Sequence, residues 1–356
     1  MAAMSKKFRV IDGDGHCIER DSELAEYAYY CGQPVKGKSG VGVMPFFPSL
    51  DGWFRVMSDK LSEGDAQSWL SFMADTGIEM TFLYPTSGLA FGLIQDRDWA
   101  IGLARAYNDW LYHKYMQVSP RFKGLALIPI HDVPAAVQEL RRAVTELGMP
   151  GACLPAATGL AKAYGHQDFH PIYEEAQRLN CVLACHGAPS KGWGFDFIDK
   201  FIETHALEHP FSQMLQLTSM VLDGVFELFP NLRVAFLEAG IGWVPYMMDR
   251  LDEEYERRAK RWSPYLTKKP SEYMKGGNLY YSCEVDEKTL PYAIELLGED
   301  NIFFPSDYPH ERDRQDFLGD IPEFVERRDI PDRAKEKILF HNALRFYGLS
   351  ESDVPS

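Results

Sequence analysis

Residues 8–16 read FRVIDGDGH, an apolar, β-rich run that breaks into acidic, glycine and histidine residues. The same break recurs along the chain: His186 closes CVLAC, Glu238 closes RVAFL, and Asp307 follows IFFPS. Carboxylate and imidazole are the ligands that a hard or borderline divalent cation takes. A parallel α/β barrel gathers the ends of separate strands on one face. Asp14, His16, His186, Glu238 and Asp307 are therefore expected to meet in one site.

Working outward, short β-rich runs alternate with longer helical patterns, which is the signature of βα units around a parallel sheet. The strands are expected at 8–12, 79–83, 124–130, 151–154, 181–186, 233–238, 279–284 and 301–305. Between them lie amphipathic stretches such as 135–147 and 290–297, with apolar residues recurring three and four positions apart. The expected fold is α/β, a single barrel domain over 1–349 closed by a helix at 334–347, with 350–356 as a frayed tail.

Two segments interrupt the alternation. Residues 32–64 are rich in Gly, Pro, Ser and aromatics and too long for a bare connection, so they form either a lid over the site or a packed surface excursion. Residues 187–229 are expected to hold two helices.

The chain has 356 residues, 46% hydrophobic, and a formal net charge of -15. That balance disfavours phosphate-backbone binding, which calls for basic patches. The basic run at Arg257, Arg258, Lys260 and Arg261 sits among acids on an expected helix and reads as a solvated face. Six cysteines without CxxC pairs indicate reduced thiols and a cytoplasmic setting. No export signal or membrane span is visible. GxSxG, a phosphate-binding Gly-rich loop and HExxH are absent too. The expected partner is a small-molecule substrate, with no nucleic acid or membrane, and a second copy or a homologous chain in an oligomer.

Asp14 and His16 stand at i and i+2, a spacing that points both side chains the same way on an extended strand end. The alternatives are a plain Asp-Gly turn at Asp14, a satisfied core histidine at His186 and an Asx-turn at Asp307.

Taken together, IDGDGH, FELFPNLRVAFLEAGIGWVPYMMDRLDE and FPSDYPH resemble the amidohydrolase-related family. This is the branch of the amidohydrolase superfamily that includes aminocarboxymuconate-semialdehyde decarboxylase and the resorcylate decarboxylases. The resemblance spans nearly the whole chain and implies a metal-dependent (β/α)8 TIM barrel with its metal at the C-terminal strand ends. It makes Asp14, His16, His186 and Asp307 metal ligands, with Asp307 also handling the proton of metal-bound water.

There are two departures. Many decarboxylases of the family carry His-x-Gly at the end of strand six, where this chain has Glu238-Ala-Gly240. His205 and His209, four apart, would share one helix face. With Glu238 bridging, they could hold a second ion, or they are solvated or capping residues before Pro210. The cofactor is thus one or two divalent ions per chain, zinc, iron or manganese.

Among the remaining candidates, Trp193 and Trp243 could wall an apolar pocket and His310 could bind substrate. Glu19 is a ligand, a ligand-orienting group or a helix cap; Glu284 could orient a ligand, and His131 ends strand three. The leading expectation is a metal-dependent hydrolase in which Asp307, His186 and Glu238 serve the water and the oxyanion. Its rivals are non-oxidative decarboxylation of an aromatic or unsaturated acid, a dinuclear iron or manganese oxygenase, and a non-catalytic partner of a homologous chain.

Overall fold

Strand β1, Ile11–Cys17, is buried along its whole length, so its three polar side chains face the interior rather than solvent. The computed structural model describes residues 8–37, 45–48, 64–190, 192–195, 197–198, 200–310 and 312–355. β1 pairs in parallel with β2, Met80–Pro85, and β2 with β3, Phe122–Gly124. β3 resumes as Ala126–Leu127 after Leu125, whose N–H still donates to Leu83 O. From there β4 (Gly151–Pro155), β5 (Val182–His186), β6 (Arg233–Leu237), β7 (Leu279–Ser282) and β8 (Ile302–Phe303) follow in parallel order. The ring closes where Gly13 N–H donates to Phe304 O at 2.9 Å and Asp307 N–H donates to Asp14 O at 2.9 Å.

Each strand is followed by a helix: α1 (Ala66–Thr76), α2 (Arg97–Leu111), α3 (Val133–Thr145), α4 (His170–Leu179), α5 (Phe201–Leu222), α6 (Trp243–Trp262), α7 (Leu290–Leu297) and α8 (Arg314–Glu326). The first three begin at aspartates, Asp65, Asp96 and Asp132, whose side chains accept from the backbone N–H groups of the first turn. α1 stops at Gly77, whose φ of 79° suits glycine. On α6, Arg250, Arg257 and Arg258 pair with Glu253 and Glu254 on the outer face, so its basic run is neutralised locally. Among the described residues no helix is long and apolar enough to cross a membrane.

The barrel is the expected (β/α)8 architecture, and the differences are local. β1 was expected to stop at residue 12 but runs to Cys17, because Asp14 and His16 point into a buried site while the ladder continues, His16 opposite Tyr84. Its glycines make room for neighbours: a Cβ at Gly13 would lie 2.5 Å from the Phe303 ring, and one at Gly15 would lie 2.5 Å from both Asp12 Oδ2 and the Trp69 ring. The 187–229 segment contains α5, which continues through Pro210, and a single turn at Val225–Leu228. Most of the suspected lid at 32–64 lies outside the described residues; within it Phe46 and Phe47 are buried, and Phe46 packs edge-on against Trp99 at 5.1 Å. Within the tail, Glu351–Asp353 form a turn and Glu351 meets Arg9 at 2.8 Å.

Two buried polar groups tie the ring. Asp12 accepts from Thr81 Oγ1 at 2.6 Å, Ser306 Oγ at 2.9 Å and Ser306 N–H at 2.8 Å, joining β1, β2 and the end of β8. From the closing helix, Tyr347 Oη donates to Gly13 O at 2.7 Å and accepts from Tyr84 Oη at 2.7 Å. Its ring also stacks on Phe82 with centroids 3.3 Å apart.

Overpacking a filled interior costs about 1–3 kcal/mol, so Gly15→Ala should shift chemical denaturation to lower denaturant by about that amount. Gly319→Ala, on α8 with nothing within 4 Å of the added carbon, should instead be neutral or stabilise by about 0.5–1 kcal/mol. Equal behaviour of the two variants would contradict the packing described at the β1 glycines.

Candidate metal centre

β1, β5, β6 and the segment after β8 each deliver a ligand-type side chain to the mouth of the barrel. Asp14, His16 and His186 are fully buried, and each places one ligand atom within 4.8 Å of the others. His186 Nε2 lies 3.4 Å and His16 Nε2 lies 3.8 Å from Asp14 Oδ1. The outer nitrogens are spoken for. His16 Nδ1 donates to Pro85 O at 2.9 Å, and His186 Nδ1 donates to Gly187 O at 2.8 Å. A carbonyl only accepts, so each Nδ1 carries a proton outward and leaves Nε2 as the nitrogen that would face a metal, the tautomer a metal-binding histidine needs.

Glu238 extends this cluster. Its carboxylate lies 3.3 Å from His186 Nδ1, 3.8 Å from His310 Nδ1 and 4.0 Å from His209 Nδ1. It completes two further groups of three, one with His16 and His310 and one with His205 and His209. The two α5 histidines have ring centroids 4.7 Å apart, as their spacing on one helix face predicts. Asp307 belongs to none of the three groups; it sits beside them, its N–H on Asp14 O.

A divalent cation fits this arrangement on an internal criterion. Both oxygens of Asp14, Nε2 of His16 and of His186, Oε2 of Glu238 and Oδ1 of Asp307 are buried without a hydrogen-bond partner. Leaving one such group unsatisfied costs about 1–3 kcal/mol, and more when it is charged. A nitrogen and oxygen donor set of this kind satisfies them together by holding zinc, manganese or iron.

Electrostatics follow from the crowding. Burial raises the Asp14 carboxyl, although His186 opposes it. It lowers His16 well below the usual imidazole range, with His310 and His186 adding to the shift. At His186 burial also pulls downward, but Asp14 and Glu238 outweigh it and bring the ring to about 9. Glu238 is held well below the carboxylate range by His209 and His186 despite its burial. Asp307 is pushed well above that range by burial and by the nearby Glu284, Asp14 and Glu238. Glu238 and Asp307 also hold φ of 56° and 53°, a left-handed backbone that costs of order 1–3 kcal/mol outside glycine.

The other candidates separate on geometry. Glu19 is a cap: its carboxylate accepts from the N–H groups of Thr86, Ser87 and Gly88 at 3.0, 3.1 and 2.9 Å, where a short helical turn, Ser87–Leu93, begins. Trp243, expected either to wall the pocket or to pack under the loop, packs between β6, β7 and α6, edge-on to Phe236 and Tyr281, with its indole N–H on Gly240 O. Opening α6, it is drawn into the layer between sheet and helices. Trp193 is half-buried and donates to Thr158 O at 3.2 Å, in the loop after β5. Glu284 is exposed at the rim, and His131 lies edge-on to Phe91 at 5.4 Å.

Three further residues had no ligand-like signal in the sequence. Gln213, one turn beyond His209 on α5, donates to Cys185 O at 3.0 Å and Leu237 O at 2.7 Å, fixing the ends of β5 and β6 against each other. Tyr84 forms a floor 5.4 Å from the His186 ring. Thr86 meets His310 at 2.8 Å.

The barrel, with its buried carboxylate and imidazole cluster at the strand ends, defines an enzyme of the amidohydrolase superfamily. The family model for amidohydrolases of the Amidohydro_2 type matches residues 11–349, and the chain belongs to that family, in the branch that holds the aminocarboxymuconate-semialdehyde and resorcylate decarboxylases. It is 27% identical over 305 residues to 2-amino-3-carboxymuconate-6-semialdehyde decarboxylase of Dictyostelium discoideum, covering 84% of this chain and 81% of that protein. Among solved structures, 5-carboxyvanillate decarboxylase LigW from Sphingomonas paucimobilis superposes with a TM-score of 0.77 at 23% identity, covering 97% of this chain and all of that one. A dihydroxybenzoic acid decarboxylase from Polaromonas, with bound manganese and 2-nitroresorcinol, superposes with a TM-score of 0.74 at 22% identity, covering 98% of this chain and all of that one.

Replacing Asp14 by Asn or His186 by Ala removes a donor from the innermost group. Protein of either variant, purified without added metal, should carry less than about a tenth of the wild-type metal per chain by elemental analysis, as loss of a ligand predicts. Wild-type metal content in both would remove this cluster as the binding site.

Proposed function

We propose that this chain is a metal-dependent lyase that decarboxylates a small aromatic or unsaturated carboxylic acid without an oxidant. Asp307 carries this reading: its N–H sits on Asp14 O at 2.9 Å, which places its carboxyl beside the metal cluster, and burial together with Glu284, Asp14, Glu238 and Asp12 raises that carboxyl well above its ordinary range, the direction a proton donor needs. The activities named for the relatives support the same choice over the hydrolysis expected from sequence alone.

Asp14, His16 and His186 would hold the ion. When bound, it supplies a Lewis acid that draws the substrate carboxylate into the mouth and neutralises charge there. Trp193 offers an apolar flank beside that position, and Tyr84 a rigid floor held by Tyr347. The Asp307 carboxyl delivers its proton to the ring or alkene carbon bearing the carboxylate. The carbon–carbon bond then breaks, its electron pair restores the unsaturated system, and carbon dioxide leaves. Asp307 regains a proton from solvent, so one proton is consumed per carbon dioxide released.

A second reading has a specific observation behind it. Glu238 stands where many decarboxylases of the family carry an imidazole, and it faces His205 and His209 within ligand distance of one another. Two ions sharing Glu238 would suit hydrolysis, with Asp307 accepting the proton of the attacking water.

The test uses a panel of aromatic and unsaturated carboxylic acids under anaerobic conditions. Headspace carbon dioxide equal to substrate lost, falling by about 10²–10⁴-fold in Asp307→Asn, supports decarboxylation. Turnover of esters or thioesters without carbon dioxide, together with two ions per chain falling to one in the His205→Ala, His209→Ala double variant, supports hydrolysis. A requirement for dioxygen would overturn both.

A further inference from the structure

Between the metal cluster and the end of β2 lies a contact that the proposed chemistry does not use. His16 and His310 stack face to face, with ring centroids 3.7 Å and planes 28° apart. Two consecutive residues hold their outer nitrogens: Pro85 O takes His16 Nδ1 at 2.9 Å, and Thr86 Oγ1 meets His310 Nε2 at 2.8 Å. Thr86 is 2% and His310 is 6% exposed, so water does not compete for these bonds.

The direction of the second bond follows from counting protons. Thr86 Oγ1 also lies 2.8 Å from Cys17 O. Cys17 pairs in register with Pro85, which has no N–H, and the Thr86 N–H is bound to Glu19 Oε2 at 3.0 Å. The hydroxyl proton of Thr86 is therefore the one that serves Cys17 O. A hydroxyl has a single proton, so its lone pair must accept from His310 Nε2–H. With Nε2–H held by Thr86, the nitrogen left to bind an ion is Nδ1, which is grouped with His16 and, without an ion, faces Glu238 Oε1 at 3.8 Å as a donor to that carboxylate.

We propose that His310 is a metal ligand through Nδ1 on the Glu238 side of the centre, and that Thr86 is the positioning residue that sets its tautomer. Glu19 supports the arrangement from behind, since its carboxylate fixes the Thr86, Ser87 and Gly88 N–H groups and so the place of the hydroxyl. The two stacked imidazoles then each bring a ligand nitrogen to one group with Glu238, one from β1 and one from the segment after β8. Hydroxyls and carboxylates that orient a ligating histidine change metal affinity by 10–100-fold when removed.

The proposal rests on the metal centre described above but not on the reaction, so its test reads binding. Mn²⁺ affinity is measured by chelator competition on full-length wild type, Thr86→Val, Thr86→Ser, His310→Ala and the Thr86→Val, His310→Ala double variant. The His310 tautomer is read from ring ¹⁵N shifts in protein loaded with diamagnetic Zn²⁺. The expected result is a Nε2–H tautomer, a loss of about 10–100-fold in Thr86→Val, retention within about threefold in Thr86→Ser, and a double variant no weaker than His310→Ala. In a cycle of this kind, a loss from Thr86→Val that persists after His310 is removed means that Thr86 acts through the fold, and it overturns the proposal. So does wild-type affinity in Thr86→Val, or a proton found on Nδ1. Wild-type protein that takes up no Mn²⁺ overturns the metal centre itself, whatever the outcome with substrate.

Discussion

The buried carboxylate of Asp12 is the constraint on which the rest depends. A barrel must close its first strand against its last, and here that seam runs through a polar, fully buried side chain. The bonds from Thr81 and Ser306 hold β1 to β2 on one side and to the β8 end on the other. Burial raises Asp12 to about 6, so the seam carries a desolvation cost that these three hydrogen bonds and a fourth from Asp14 N–H at 3.2 Å offset. The register it sets fixes where Asp14 and Asp307 meet, because the Asp307 N–H donates to the Asp14 carbonyl across the same joint.

From that seam the site is built in two halves. Asp14, His16 and His186 form a closed inner group whose outward nitrogens end on backbone carbonyls. Glu238 opens the group toward α5 and toward His310. The outer half is the more adjustable one, since Glu238 is held by a left-handed backbone and by charge rather than by a fixed hydrogen-bond ladder.

Most of the barrel was legible because apolar runs end where ligand-type residues begin, and this break marks a strand end pointing into a polar cavity. Asp14, His16, His186 and Glu238 were found that way, and the His205, His209 pair by helical spacing. The same rule misplaced the end of β1: inward-facing polar residues read as loop when polarity is equated with solvent. Glu19 stayed open between ligand, orienting group and helix cap, because the N–H groups it caps lie 67 to 69 positions away and only folding brings that turn to it. Thr86 was invisible for the same reason. Trp243 stayed open between pocket wall and packing under the loop, because proximity in sequence to Glu238 says nothing about which side of the sheet a helix-initiating ring will face.

Tyr347 gives the architecture a temporal order. Its hydroxyl reaches Gly13 O, 334 positions earlier in the chain, and its ring covers Phe82 beneath the cluster. A nascent chain emerging from the ribosome can form β1 through β7 and their helices, yet it lacks both the seam partner Ser306 and this terminal plug. The centre therefore cannot mature residue by residue. Its seam and its cover are complete only once Ser306 and Tyr347 have both been made, so ligands supplied by β1, β5 and β6 wait on residues more than 60 positions further along the chain for their buried setting.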